Sequence, residues 1–355
     1  MKVLIVRIGA MGDVLHAMPA VAALRERHPR CFIGWAIDPR WSDLLQISGD
    51  PQDLTQGVTV AGGSIARLGL VDRWYSVPSP AWSKRPLAPR TLSEILALRR
   101  VLRAERFDLC VDLQGAMKSA VVGGFARAKS YVGPAKPRER LARLWYGKKI
   151  SLQAEHVIEQ GCELLGAAVG ETLAPARVTL PMNERAEQWA DEAVGQERFV
   201  LISPGGGWGA KVWPADRLGR VAAELGMVAG IRTVVNASAG GSREADEVVA
   251  ASGGFARPVQ CSVGQLIALT RRATAVIAGD TGPLHLAAAL ERPVVGIYGP
   301  TDPARNGPYG TRSRALRSTT SATSHKRKHE VEEGMLTITV EEVIEAAKEM
   351  LRPAE

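Results

Sequence analysis

The apolar positions of this chain come in short unbroken runs, separated by stretches where they recur every three or four residues. In the first half, "KVLIV", "CFIGWAI", "LVDRWYSV" and "LCVDL" predict strands, and "MPAVAALRER" and "LSEILALRRVLRAERF" predict helices. Repeated strand–helix alternation argues for a parallel sheet wrapped by helices. The pattern pauses at 170–182, "GETLAPARVTLPM", which reads as a linker. It then restarts with strands "FVLISPG", "IRTVVNAS", "AVIAGD" and "PVVGIYGP". Helical stretches "ADRLGRVAAEL", "READEVVAAS", "VGQLIALTRR" and "PLHLAAAL" lie between them. Residues 318–334 are polar and read as a surface loop, and "VEEVIEAAKEMLR" is a last amphipathic helix. The expected architecture is α/β, with two doubly wound Rossmann-like domains, 1–172 and 173–335, facing across a cleft. A terminal helix, 336–355, is expected to pack back toward the first domain. Ligands in such sheets bind outside the carboxyl ends of the strands.

Bulk composition narrows the class. A chain of 355 residues is too long for one ordinary core. It has no apolar run of about 18 residues, and its start goes directly into a strand, so a cytoplasmic protein is expected. The four cysteines, Cys31, Cys110, Cys162 and Cys261, form no C-x-x-C, and the six histidines form no H-E-x-x-H. Neither a disulfide framework nor a metal site is expected. The net charge of +8 is unevenly spread: residues 80–150 hold 16 Lys and Arg against 5 Asp and Glu, which leaves the remainder near −3. Such a block suggests an acidic partner: nucleic acid, an anionic membrane face or a phosphorylated substrate. A solvated basic surface is the plainer alternative.

Four strand-to-helix corners carry candidate chemistry. In "AVIAGDTGPLHLAAAL", Asp280, Thr281 and Gly282 precede a helix whose free N–H groups and dipole form an anion seat. A plain Asp or Thr N-cap is the competing reading. In "SPGGGWGAKVWP", glycines expose backbone amides and Lys211 can balance phosphate charge. No G-K-[ST] follows, and no G-x-G-x-x-G is suitably placed, which argues against a Walker site and a nicotinamide-dependent dehydrogenase. In "GAMGDVLH", Asp13 would repel a phosphate. At a helix N-terminus it can instead accept a proton from an attacking sugar hydroxyl, or simply cap the helix. In "FDLCVDLQGAMKSA", Gln114 and Lys118 follow a strand end that opens on the same side of the sheet.

The motifs "MGDVLH", "VDLQGAMKSA", "AKVWP" and "GDTGPLHLAAAL…PVVGIYGPTDP", in this order, resemble the ADP-heptose:lipopolysaccharide heptosyltransferases of glycosyltransferase family 9. The D-x-Q-G-x-x-K-S-A stretch is most similar to the heptosyltransferase I branch. The resemblance implies a GT-B fold with the donor on the C-terminal domain and the acceptor on the N-terminal one. It implies transfer of L-glycero-D-manno-heptose from ADP-heptose to a Kdo sugar of Kdo2-lipid A, inverting and without a metal or other cofactor. A later-acting heptosyltransferase or another sugar-nucleotide transferase of the family is the alternative. Asp13 falls on the family's base, and Lys211 on the lysine that touches the donor phosphates; these two are the catalytic candidates. Gly206, Gly207, Lys211, Glu244, Asp280, Thr281, Gly282 and His285 are implied at the donor. Gly12, Gln114, Lys118, Arg138, Arg140 and Arg143 are the acceptor candidates. The chain departs from the family pattern at Gly205-Gly206-Gly207-Trp208, where a Thr- or Ser-bearing turn is common. A monomer is expected, binding no nucleic acid and touching the anionic inner face of the cytoplasmic membrane peripherally through its basic block.

Overall fold

The computed structural model describes residues 1–45, 69–237, 241–324 and 330–353. Part of the expected polar loop, 325–329, lies outside the described residues. The chain divides into two units, Met1–Pro181 and Met182–Glu355.

The first unit contains β1 (Lys2–Val6), α1 (Met11–Arg27), β2 (Phe32–Ile37), β3 (Arg73–Ser76), α2 (Ser79–Lys84) and α3 (Pro89–Ala104). It continues with β4 (Leu109–Asp112), α4 (Met117–Phe125), β5 (Ser130–Pro134), β6 (Lys148–Ile150) and α5 (Val157–Val169). All strand pairs are parallel, in the order β3-β2-β1-β4-β5-β6.

The second unit contains α6 (Glu184–Val194), β7 (Phe199–Ser203), α7 (Ala215–Ala229), β8 (Arg232–Ala237), α8 (Arg243–Ala251), β9 (Ala256–Gln260) and α9 (Val263–Arg272). Then come β10 (Ala275–Gly279), α10 (Gly282–Ala289), β11 (Val294–Tyr298), α11 (Pro303–Asn306), β12 (Ser313–Arg317), α12 (Glu333–Thr337) and α13 (Val340–Leu351). Its sheet is also wholly parallel, in the order β12-β11-β10-β7-β8-β9.

Both sheets share one plan. The first strand of each lies in the middle, two strands extend one edge, and the chain then crosses over to build the other. The topological switch point falls between β1 and β4 in one unit and between β7 and β10 in the other, where ligands of such sheets bind. The central strands are buried apolar runs, as a sheet covered on both faces requires. The strands that no apolar run announced are β5, β6, β9 and β12. Three of these four are edges, and β6 ("KKI"), β9 ("ARPVQ") and β12 ("SRALR") expose most of their residues at least in part. Short polar edges discourage pairing with other chains, and hydrophobic patterning does not reveal them.

The unit boundary falls later than the linker suggested, at 181 rather than 172. Ala176 N–H donates to Pro19 O of α1 at 3.2 Å, and Glu171 pairs with Arg27 and His28, so this segment is tied to the first unit. The terminal helix packs within the second unit. Thr339 and Glu342 cap α13 reciprocally, and Val340, Val343, Ile344, Ala347 and Met350 lie in the same core as α7 and β11. The apolar face of α13 thus completes the second unit.

Candidate functional site

The switch point of the first unit is built around Asp13, the third residue of α1. One carboxylate oxygen accepts from Ala10 N–H at 3.0 Å, closing the helix N-terminus. The other accepts from Arg7 Nη2 at 2.8 Å, while Arg7 Nε donates to the Asp13 carbonyl at 2.9 Å. Arg7 Nη1 donates to the Leu113 carbonyl beyond β4, so one guanidinium fastens Asp13 to both strands of the switch point. Asp13 is therefore a helix cap, as the plainer reading held, yet its side chain stays 31% exposed. An ionised carboxylate has about four lone-pair sites, and these contacts take two.

Asp112, at the end of β4, is fully buried. It accepts from Gln114 N–H, Gly115 N–H, Ser119 Oγ and Tyr146 Oη at 2.9, 3.1, 2.9 and 2.7 Å. Burial raises its pKa, and these donors only partly offset that. The network fixes the turn at 113–116. Gln114 is buried and receives Ile8 N–H on Oε1 at 2.8 Å, so the acceptor candidate first of all braces β1.

Lys118, in the first turn of α4, reaches Ser79 Oγ at 3.4 Å. Partial loss of water lowers its pKa, Arg138 lowers it further, and the carboxylates of Asp38, Asp13 and Glu139 oppose the shift. Lys118, Asp13, Asp38 and Arg138 thus share one electrostatic neighbourhood. Gly115 makes this possible: its φ is +67°, and a Cβ there would meet Arg138 N at 3.1 Å. Glu139 N–H donates to Gly115 O at 2.9 Å, and the Glu139 carboxylate receives Met117 N–H at 2.9 Å. Arg140 and Arg143 lie farther along, exposed on a short 3-10 helix, Arg140–Trp145. Gly12 is buried in the first turn of α1.

The switch point of the second unit has the opposite character. Lys211 Nζ lies 2.5 Å from Asp280 Oδ2 and 4.6 Å from the centre of the Trp208 ring. Asp280 Oδ1 lies 2.9 Å from His285 Nε2. Burial pushes the Asp280 carboxyl up. The hydrogen bond and charge of His285, with the Lys211 ammonium, outweigh that and hold it far below the usual carboxylate range. Gly279 allows this closeness, because a Cβ there would meet the Lys211 carbonyl at 2.8 Å.

With Asp280 engaged this way, it does not cap α10. Nor does Thr281, whose hydroxyl donates back to Gly279 O at 3.2 Å. The side-chain cap of the competing reading is not formed at α10 among the described residues, leaving Thr281 and Gly282 at an N-terminus suited to an anion. Gly206 is confined, since a Cβ would meet Val212 Cγ2 at 2.7 Å, whereas Gly207 faces open space. Glu244 sits in the first turn of α8, which follows β8, the strand beside β7. Two further polar atoms at this edge, Asn236 Oδ1 at the end of β8 and Thr301 Oγ1 beyond β11, are buried and have no hydrogen-bond partner among the described residues.

Sequence reading missed Arg7, Asp38, Asn236 and Thr301 and gave Asp112 no role. The available signal was weak: a polar residue at or just past the end of an apolar strand. Among the described residues no group of three His, Cys, Asp or Glu side chains could hold a metal ion. No helix among them is long and apolar enough to cross a membrane.

Comparison with known proteins agrees with this geometry. Residues 95–336 match glycosyltransferase family 9 (heptosyltransferase). The chain is 27% identical over 334 residues to lipopolysaccharide heptosyltransferase 1 of Escherichia coli (strain K12), covering 90% of this chain and 94% of that protein. It is 24% identical over 372 residues to lipopolysaccharide heptosyltransferase 2 of Salmonella typhimurium, covering 99% of each. Among solved structures, E. coli heptosyltransferase WaaC with ADP superposes with a TM-score of 0.76 at 23% identity, covering 99% of this chain and 100% of that one. Two parallel six-stranded sheets with flanking helices are the GT-B plan of those enzymes. With two thirds of its length matched, this chain belongs to glycosyltransferase family 9, the heptosyltransferases.

Proposed function

We propose that this enzyme transfers L-glycero-D-manno-heptose from ADP-heptose to a Kdo hydroxyl of Kdo2-lipid A, with inversion and without a metal. The observation that carries the reading is the contrast at the two switch points: a fastened, partly exposed carboxylate on one unit, an ammonium beside a helix N-terminus on the other.

The second unit suits the donor. Lys211 and the first amides of α10 would hold the diphosphate and stabilise the charge that grows on it as the bond to the sugar breaks. Asp280 orients Lys211 and His285. Glu244, Gly206 and Gly207 complete the donor site in this reading. The first unit suits the acceptor. The Kdo hydroxyl oxygen forms a bond to the anomeric carbon, the bond from that carbon to the diphosphate breaks, and Asp13 takes the hydroxyl proton. The transition state is oxocarbenium-like, as in other glycosyl transfers. Arg7 is a positioning residue, holding the Asp13 carboxylate in place. Lys118 and Arg138, with Gly12, Gln114, Arg140 and Arg143, would receive the phosphates and carboxylates of the acceptor. Similarity to both heptosyltransferase 1 and heptosyltransferase 2 keeps a later-acting transferase as the second reading.

The test is to incubate the enzyme with ADP-heptose and Kdo2-lipid A, with and without EDTA, and weigh the products. A gain of one heptose, unaffected by EDTA, is expected. Transfer only to an acceptor that already carries heptose would move the enzyme to the later step. No transfer to either acceptor would overturn the reading.

A further inference from the structure

Twelve large apolar residues are exposed among the described residues, and seven of them fall between positions 87 and 145. Six of the seven occupy two elements. On α3, Leu92 and Leu96 lie four residues apart with Arg100 next in the series, so the three share one outward face. Thr91, Leu98 and Leu102 fill the buried face. Leu87, just before α3, is 83% exposed. On the 3-10 helix Arg140–Trp145, Leu141, Leu144 and Trp145 are exposed, Leu144 by 76%.

Cations interleave both elements. Lys84, Arg85, Arg90, Arg100, Arg140 and Arg143 are all exposed. Residues 79–101 contain one carboxylate, Glu94, which is bound to Trp82 and Arg90. Residues 135–147 also contain one, Glu139, which is bound to Met117 N–H. Both elements pack against α4, whose first turn holds Lys118. Lys118 in turn bonds to Ser79 at the start of α2 and feels Arg138, two residues before the other element. The apolar and basic residues therefore flank the proposed acceptor corner on two sides.

We propose that the outer face of α3 with Leu87, and the 3-10 helix Arg140–Trp145, form the surface by which this enzyme docks on an anionic lipid bilayer. The leucines and Trp145 would enter the boundary of the acyl chains, and the arginines would meet lipid phosphates. A lipid acceptor could then be taken up at Lys118 directly from the surface. This rests on the proposed function for its purpose, but not for its test.

The experiment uses the full chain and acceptor-free vesicles, one set of phosphatidylethanolamine with a quarter phosphatidylglycerol, the other of phosphatidylcholine alone. Sedimentation should show binding to the anionic vesicles at least about tenfold tighter than to the zwitterionic ones. Leu92→Ser/Leu96→Ser and Arg85→Glu/Arg100→Glu should each weaken that binding by about tenfold or more. Both variants should keep wild-type affinity for ADP by calorimetry, which shows that they are folded. Equal binding to the two vesicle types, or vesicle binding unchanged in both variants, would overturn the proposal. So would a wild-type dimer that the leucine substitutions dissociate without any vesicle binding, which would assign the face to a second copy. Vesicle binding without sugar transfer leaves the surface standing and removes the function; transfer to a detergent-dispersed acceptor without vesicle binding does the reverse.

Discussion

Asp112 and Asp280 occupy matching places in the two units, each at or just past the carboxyl end of the strand that crosses the switch point. Both are buried, and their chemistry diverges. Among the described residues Asp112 meets only neutral donors, and burial raises its pKa. Asp280 meets Lys211 and His285, which overcome burial and lower it. The same topology thus gives two kinds of corner. In the first unit the buried carboxylate builds a rigid turn, and a different carboxylate, Asp13, is presented. In the second the buried carboxylate holds cationic and imidazole groups beside an N-terminus that no side chain caps. What surrounds a strand end, rather than the strand itself, decides whether the corner presents a carboxylate or a cation beside a helix N-terminus.

Asp280→Asn should break this contrast most severely. It leaves the Lys211 ammonium largely buried without its counter-charge, which costs on the order of 3 kcal/mol. Urea denaturation should show that loss, and ADP binding should weaken with it. Unchanged stability would mean that the ion pair does not organise the corner. Next comes Asp13→Asn, expected to lower turnover by about a hundredfold while donor affinity measured by calorimetry stays near wild type. If turnover survives, Asp13 is only a cap. Arg7→Met should have a smaller effect, a turnover loss of about tenfold, because Asp13 keeps Ala10 N–H but loses its charged partner. A fall in donor affinity instead would assign Arg7 to the wrong substrate.

The smallest effects separate the two aspartates by pH. The stability Asp280 contributes is fully present above its unfolded pKa of about 4 and is lost as pH falls toward its lower folded value. Asp112 behaves oppositely: its ionisation in the fold costs stability as pH rises from about 4 through its raised folded value. Asp112→Asn should therefore destabilise by about 1 kcal/mol in acid, with a deficit that shrinks toward neutral pH. The Asp280→Asn deficit should grow over the same range. Denaturant midpoints of both variants from pH 3 to 7 would test this, and parallel trends would show that the two sites do not differ electrostatically.

Much of this plan was legible from the chain. The apolar runs located eight of the strands, and "GDTGPLH" and "GAMGDVLH" marked two corners, because burial on both faces and the needs of a helix N-terminus leave local traces. The edge strands β6, β9 and β12 left none, since solvent accepts polar residues there. That the terminal helix joins the core of the second unit could not be judged from its amphipathic pattern. Periodicity shows that a face is apolar but not which core it joins. Arg7 was passed over for a similar reason: its partners Asp13 and Leu113 are 6 and 106 positions away, and only the β1–β4 pairing brings them together.

By itself, the sequence determined the repeated α/β pattern, the position of Asp13 in a first helical turn, and the lysine and helix opening of the second unit. These follow from interactions within a few residues, which side-chain period and backbone preference govern. The tertiary structure alone decided that Lys211 meets Asp280 across 69 positions, that Asp112 remains without a cation, and that seven apolar residues of one basic region stay exposed. Charge pairing and burial depend on which strand ends the sheet order makes neighbours, and no local stretch of the chain contains that order.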